Sequence, residues 1–131
     1  MKYPVNLLIG ITVLLLGLVI NMGAAAQQAT VADGVFTEAQ VEAGQLVYDG
    51  TCKACHNMKF YQDTLKSFNR QPLIYLWETV MGTMPADNPG SLGLSEYTDV
   101  IAYILHENGF PTGDTMLDPN NGMDEINIVS P

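Results

Sequence analysis

Cysteine, histidine and cationic residues are all scarce in this chain. Its 131 residues hold two cysteines, two histidines and five Lys/Arg against fourteen Asp/Glu. The two cysteines, Cys52 and Cys55, stand close together with His56 beside them, and the other histidine, His106, is fifty residues further on. A structural zinc site needs a second ligand pair, which the chain does not supply. A thioredoxin-type redox pair needs a preceding strand in a βαβ setting, and neither is visible. A structural disulfide across a two-residue gap is strained. The shortage of cations argues against nucleic acid and against anionic membrane as partners. No internal repeat or low-complexity tract is present, and the length suits one small domain.

The N-terminus carries Met1-Lys2, an apolar run from Val5 to Ile20, and then Ala24-Ala25-Ala26-Gln27. A basic start, an apolar run and an Ala-x-Ala pattern are the parts of a secretory signal peptide, with cleavage expected after Ala26. The alternative is an uncleaved N-terminal anchor, since Val5 to Ala26 is nearly long enough to span a bilayer. Asn6, Asn21, Gly23 and the small residues at the end favour cleavage. In either case the remainder is expected outside the cytoplasm, in the periplasm. Without residues 1–26, four Lys/Arg face fourteen Asp/Glu, a formal charge of −10. The four cations, Lys53, Lys59, Lys66 and Arg70, all fall within eighteen residues. That placement is either a dipolar surface that steers a partner or a coincidence of composition.

Cys52-Lys53-Ala54-Cys55-His56 has the Cys-x-x-Cys-His spacing of a c-type haem attachment site. Two thiols two residues apart can add to the two vinyl groups at one edge of a haem. His56, directly after the second sulfur, then lies under the iron and can donate a ring nitrogen as proximal ligand. Covalent attachment outside the cytoplasm agrees with the N-terminal segment.

Around this run the pattern is helical, and the expected fold class is all-α. Residues 27–36 are small and polar and read as a flexible leader. Thr37 to Gln40 is a capping-box pattern. It opens a helix from about Glu38 to Tyr48, with Val41, Gly44, Val47 and Tyr48 on one face and Gly50 as the stop. Gly44 inside a helix marks a close helix crossing. Residues 57–71 show no firm period and are expected as loop and short helical turns. Pro72 suits a first helical position. Leu73, Leu76, Trp77, Val80 and Met81 then form an apolar stripe that Gly82 ends. Thr83 to Gly90 is turn-rich. Ser95 is the expected N-cap of a last helix, about Glu96 to Glu107, with Tyr97, Val100, Ile101, Ile104 and Leu105 as its stripe. Asn108-Gly109 and Pro111 end it. Residues 110–131 form a C-terminal extension that packs on the domain or trails from it.

A six-coordinate haem needs a second axial ligand, and Met84 is the candidate. It lies 28 residues after His56, just past a helix end and before Pro85, where extended backbone lets a thioether point out of a loop. Such a soft neutral ligand favours ferrous iron and raises the potential. Met58 is too near His56 to reach the other haem face. Met81 occupies a packing stripe, Met116 and Met123 remain open in the tail, and His106 reads as a surface histidine near a helix C-terminus.

An N-terminal helix with Gly44 and Tyr48, then Cys52 to His56, then Met84-Pro85, then Asp99-Val100-Ile101-Ala102-Tyr103-Ile104-Leu105, resembles class I cytochrome c over about residues 37–109. Met84 to Gly90, with Ala102 to Leu105 and Asn108-Gly109-Phe110-Pro111, is more loosely similar to cytochromes associated with PQQ-dependent quinoprotein dehydrogenases. The resemblance implies three main helices around one covalently bound haem c, with the first and last helices crossing. Gly44 would admit Tyr103 or its neighbours, and Trp77 or Tyr75 would reach a haem propionate unless Trp77 is plain core. It implies an electron carrier and not an enzyme, with Cys52 and Cys55 as thioethers and His56 and Met84 as axial ligands. Its partners would be redox proteins such as a quinoprotein dehydrogenase, a terminal oxidase or another cytochrome, and membrane only if the N-terminal segment stays attached. A dedicated haem subunit of one complex, or a haem enzyme or gas sensor with an open iron, are the competing readings. The acidic balance departs from the lysine-rich mitochondrial type.

Overall fold

The computed structural model describes residues 28–131, so the expected signal peptide or anchor lies outside the described residues. Among these, four α-helices carry the fold: α1 (Glu38–Val47), α2 (Met58–Ser67), α3 (Leu73–Thr83) and α4 (Leu94–Glu107). No strand occurs among the described residues, and two isolated bridges join extended segments. The described residues are all-α, with one helix more than expected. No helix of the described residues is long and apolar enough to cross a membrane.

The crossing of α1 and α4 is the centre of the molecule. It depends on Gly44, because a Cβ there would run into the Asp99 carbonyl and lie 2.9 Å from the Tyr103 Cβ. Tyr103 is buried at this crossing, on the side of α4 away from the strict stripe. With α1 on that side and α2 and α3 on the other, α4 also buries Thr98 and Ala102. Gln40 locks the crossing to the tail. Its amide donates to Asp99 Oδ1 at 3.2 Å and to the Leu117 carbonyl at 3.0 Å, and its oxygen accepts from Leu117 N–H at 2.8 Å. A buried amide with every group paired adds rigidity where an unpaired one would destabilise. The capping box of Thr37 and Gln40 is present as expected.

Several local expectations are corrected. Gly50 does not stop the first helix; α1 ends at Val47 and the chain winds on through a π-helical turn, Tyr48–Cys52. The stretch 57–71 is not loop and short turns: Asn57 caps a ten-residue helix, accepting from Phe60 N–H at 3.0 Å, and Tyr61 and Leu65 are its buried stripe. Pro72 precedes α3 rather than opening it. Ser95 is not the cap of α4, which starts at Leu94 after Gly93; the Glu96 carboxylate accepts from Gly93 N–H at 2.7 Å.

The ends of the chain belong to the packed unit. Instead of a flexible leader over 27–36, residues from Thr30 onward are folded onto the body, with Val31 and Phe36 fully buried. The C-terminal extension is a strap. Its Ile126–Ile128 segment accepts from Leu73 and Arg70 N–H on one side, while Asn127 exchanges bonds with Ala29 and Val31 on the other, all between 2.8 and 3.0 Å. Its Leu117, Met123 and Ile128 are buried against the body. The unit therefore extends beyond 37–109 at both ends. Trp77 is core, and its indole N–H donates to Thr98 Oγ1 at 3.1 Å, while Tyr75 is half-exposed.

Candidate functional site

Three helices and two loops enclose one apolar cavity of about 570 Å³. Phe60, Tyr61 and Leu65 from α2, Phe68 just after it, Leu76 and Val80 from α3, and Val100, Ile101 and Ile104 from α4 make its walls. Cys52, Cys55 and His56 line it from the turn after α1, and Met84 to Asp87 line it from the loop after α3. The four residues singled out in the sequence thus meet at one space, although 28 residues separate His56 from Met84. The volume falls in the range of cofactor and small-molecule sites, about 300–1,000 Å³.

The first side of the site is built locally. The π-helical turn carries Cys52 into a bend in which Lys53 N–H bonds Tyr48 O at 2.9 Å. Cys55 and His56 N–H both reach the Cys52 carbonyl, at 3.1 and 3.0 Å. The buried Tyr48 hydroxyl closes the turn by donating to the His56 carbonyl at 2.9 Å. The His56 ring stacks on Phe60 at 4.3 Å and meets Tyr61 edge-on at 5.7 Å. Both cysteines are free thiols, Cys52 half-buried and Cys55 exposed. Burial pushes the Cys52 thiol up, and a hydrogen bond with Tyr61 pulls it back in part. Burial, then the neighbouring Cys52, raise the Tyr61 hydroxyl well above the usual phenol range.

The other side is a loop with little structure of its own. Met84 leaves α3 in extended conformation, its N–H donating to Val80 O at 2.8 Å. The peptide bond to Pro85 is cis. The Met84 carbonyl accepts from Gly90 N–H at 3.3 Å and from the Tyr97 hydroxyl at 2.7 Å.

The other methionines and the second histidine stand elsewhere. Met81 is partly buried in α3 and does not line the cavity, Met123 is fully buried under the strap, and Met116 is exposed. Met58 packs near Asn108, whose amide lies 4.0 Å from its sulfur. His106 is half-buried near the end of α4, its Nδ1 3.6 Å from the Glu107 carboxylate and without a hydrogen-bond partner. Among the described residues no three His, Cys, Asp or Glu side chains gather as a metal ion held by them alone would need.

Sequence reasoning expected Phe60, Tyr61, Leu65 and Phe68 to drape over the site but missed that they are carried by a helix, and it missed the two tyrosines that hold the loops. The spacing of Tyr61, Leu65 and Phe68, four and then three residues, was the available signal for the helix. Of the nearby cations, Lys53 pairs with Asp49 at 2.8 Å and Lys66 with Asp63 at 3.5 Å, which offsets half of the cationic cluster. Comparison with protein-family models, with curated proteins and with solved structures finds no match to this chain.

Proposed function

We propose that this chain is a periplasmic mono-haem c-type cytochrome of class I kind that carries single electrons by outer-sphere transfer. The observation that carries the reading is the convergence of Cys52, Cys55, His56 and Met84 on one apolar cavity. The residues fit a haem. Two free thiols, His56 and Met84 border it from separate loops, and the remaining walls are mainly apolar, with a few threonines and Asp87 among them. Bound haem iron would supply reversible one-electron redox chemistry.

The chain's own residues do the rest. Cys52 and Cys55 would hold the group covalently in both oxidation states. His56 and Met84 would fill both axial positions and leave none for a substrate, which favours carriage of electrons over turnover. The apolar faces of α2, α3 and α4 would keep water away from a group bound between them. A packed macrocycle also answers a stability problem, since a domain of this size has only a small core of its own. Electrons would leave by the edge near the exposed Cys55, toward a redox protein such as a dehydrogenase, an oxidase or another cytochrome. The formal charge of −10 without residues 1–26 speaks against nucleic acid.

The test is a redox-resolved visible spectrum and midpoint potential of wild type and Met84→Ala. The expected result is a low-spin haem in wild type, and in the variant a lower potential with loss of the sulfur-to-iron absorption. A variant identical to wild type would move the ligand away from Met84. A wild-type ferric spectrum without sulfur ligation would favour an open-iron enzyme or sensor.

A further inference from the structure

Met84 occupies a loop that cannot fix it alone. Residues 84–92 hold two prolines and a glycine, and their internal bonds are turns: Asn88 N–H to Pro85 O at 3.0 Å, Gly90 N–H to Met84 O and Ser91 N–H to Asn88 O, both at 3.3 Å. One residue from outside the loop joins its two ends. Tyr97, in the first turns of α4 and only 1% exposed, donates its hydroxyl to the Met84 carbonyl at 2.7 Å. The same oxygen accepts from Leu92 N–H at 3.5 Å. Tyr97 does not line the cavity, so its effect on anything held there passes through Met84.

We propose that Tyr97 is the positioning residue for the Met84 sulfur, its hydroxyl clamping the first and last residues of the 84–92 loop to α4. The inference rests on the reading of Met84 as an axial ligand. With both backbone polar atoms of Met84 bonded, the side chain is the part left free to enter the cavity. Holding the loop in its bound shape removes an ordering cost from sulfur binding. Replacing Tyr97 with Phe keeps the ring and removes the hydroxyl. Gly90 N–H still reaches the Met84 carbonyl, so the losses are the short bond to Met84, the long one from Leu92 N–H, and with them the loop's tie to α4.

The experiment titrates the ferric holoprotein with imidazole, followed by its visible spectrum. Added imidazole binds only where the thioether has left, so its apparent affinity reports the fraction of Met84 released. Tyr97→Phe is expected to bind imidazole about threefold to tenfold more tightly than wild type, the span of one net hydrogen bond. Thr98→Val, which removes the bonds from Trp77 and to Leu94 on the same helix, is expected to lower thermal stability and leave imidazole affinity unchanged. Wild-type affinity in Tyr97→Phe, or an equal shift in Thr98→Val, would overturn the proposal. Hydrogen exchange on wild type tests it without any variant. Saturating imidazole should speed exchange at Leu92 and Gly90 by the same factor, since coupling is reciprocal, and unchanged protection there would overturn it. Met84→Ala run alongside separates the two failures: an unaltered spectrum in that variant removes the ligand assignment, and the clamp with it.

Discussion

The two loops that border the cavity are anchored by the same device in different surroundings. On each, a buried tyrosine hydroxyl donates to the backbone carbonyl of a proposed ligand, Tyr48 to His56 at 2.9 Å and Tyr97 to Met84 at 2.7 Å. Tyr48 begins the turn it closes, eight residues before His56, and the turn has three backbone hydrogen bonds of its own. Tyr97 comes from a different helix, thirteen residues after Met84, and the loop between is a series of turns. The comparison teaches that a ligand set can be half local and half tertiary. The Cys52–His56 side should keep its shape through partial unfolding, whereas the Met84 side should be the first to let go.

Substitution of both cysteines should have the largest effect. Cys52→Ala with Cys55→Ala is expected to abolish covalent attachment, so that any haem present is lost when the protein is denatured. Retained haem would show that the local side does not hold it through sulfur. Next is Gly44→Ala, which separates α1, the helix leading to Tyr48, from α4, which carries Tyr97. Because the added methyl meets backbone at Asp99, it should destabilise by about 3 kcal/mol, the upper part of the overpacking range. A denaturation midpoint equal to wild type would mean that the crossing is looser than it looks.

The paired variants Tyr48→Phe and Tyr97→Phe sharpen the contrast. Each should cost about 1 kcal/mol of stability, yet only Tyr97→Phe should tighten imidazole binding. Equal behaviour in the two would erase the distinction between the loops.

The smallest effect is electrostatic. Burial raises the Asp99 carboxyl above its ordinary value of 3.8, with the Gln40 hydrogen bond acting against it. A raised folded-state value means that the native protein holds the proton more tightly. The stability due to this group is therefore complete below the ordinary value and is lost as pH rises through the raised one. Asp99→Asn, which keeps an oxygen for Gln40, should be slightly more stable than wild type at neutral pH and no more stable near pH 3. The difference is read from denaturation midpoints across that range, and a constant offset would contradict it.

Much of the local side was legible from residue order alone. Cys52, Cys55 and His56 adjoin in the chain, so their grouping needs no tertiary fold. Gly44 was legible as a close crossing because a glycine in an amphipathic helix has few other uses. Met84 was legible as a residue between a helix end and a proline, but its anchor was not, since nothing in the sequence ties Tyr97 to a loop outside its own helix. On stripe spacing Tyr97 is simply core. The helix α2 was hidden because only one narrow face of it is buried and its polar positions interrupt the period. Gln40 was read as a cap, and its bonds to Asp99 and Leu117 depend on where the tail returns. The leader reads as flexible and the tail as either packed or trailing for the same reason: their hydrogen bonds are to each other and to the corner before α3.

Everything proposed for the cavity depends on one iron porphyrin being joined to this chain through two neighbouring sulfurs. Intact mass of the exported protein, taken after complete denaturation, tests it most directly. The expected result is a single species heavier than the polypeptide by one haem, with the added mass on a peptide containing Cys52 and Cys55. A denatured protein with the mass of bare polypeptide and two unmodified thiols would contradict it.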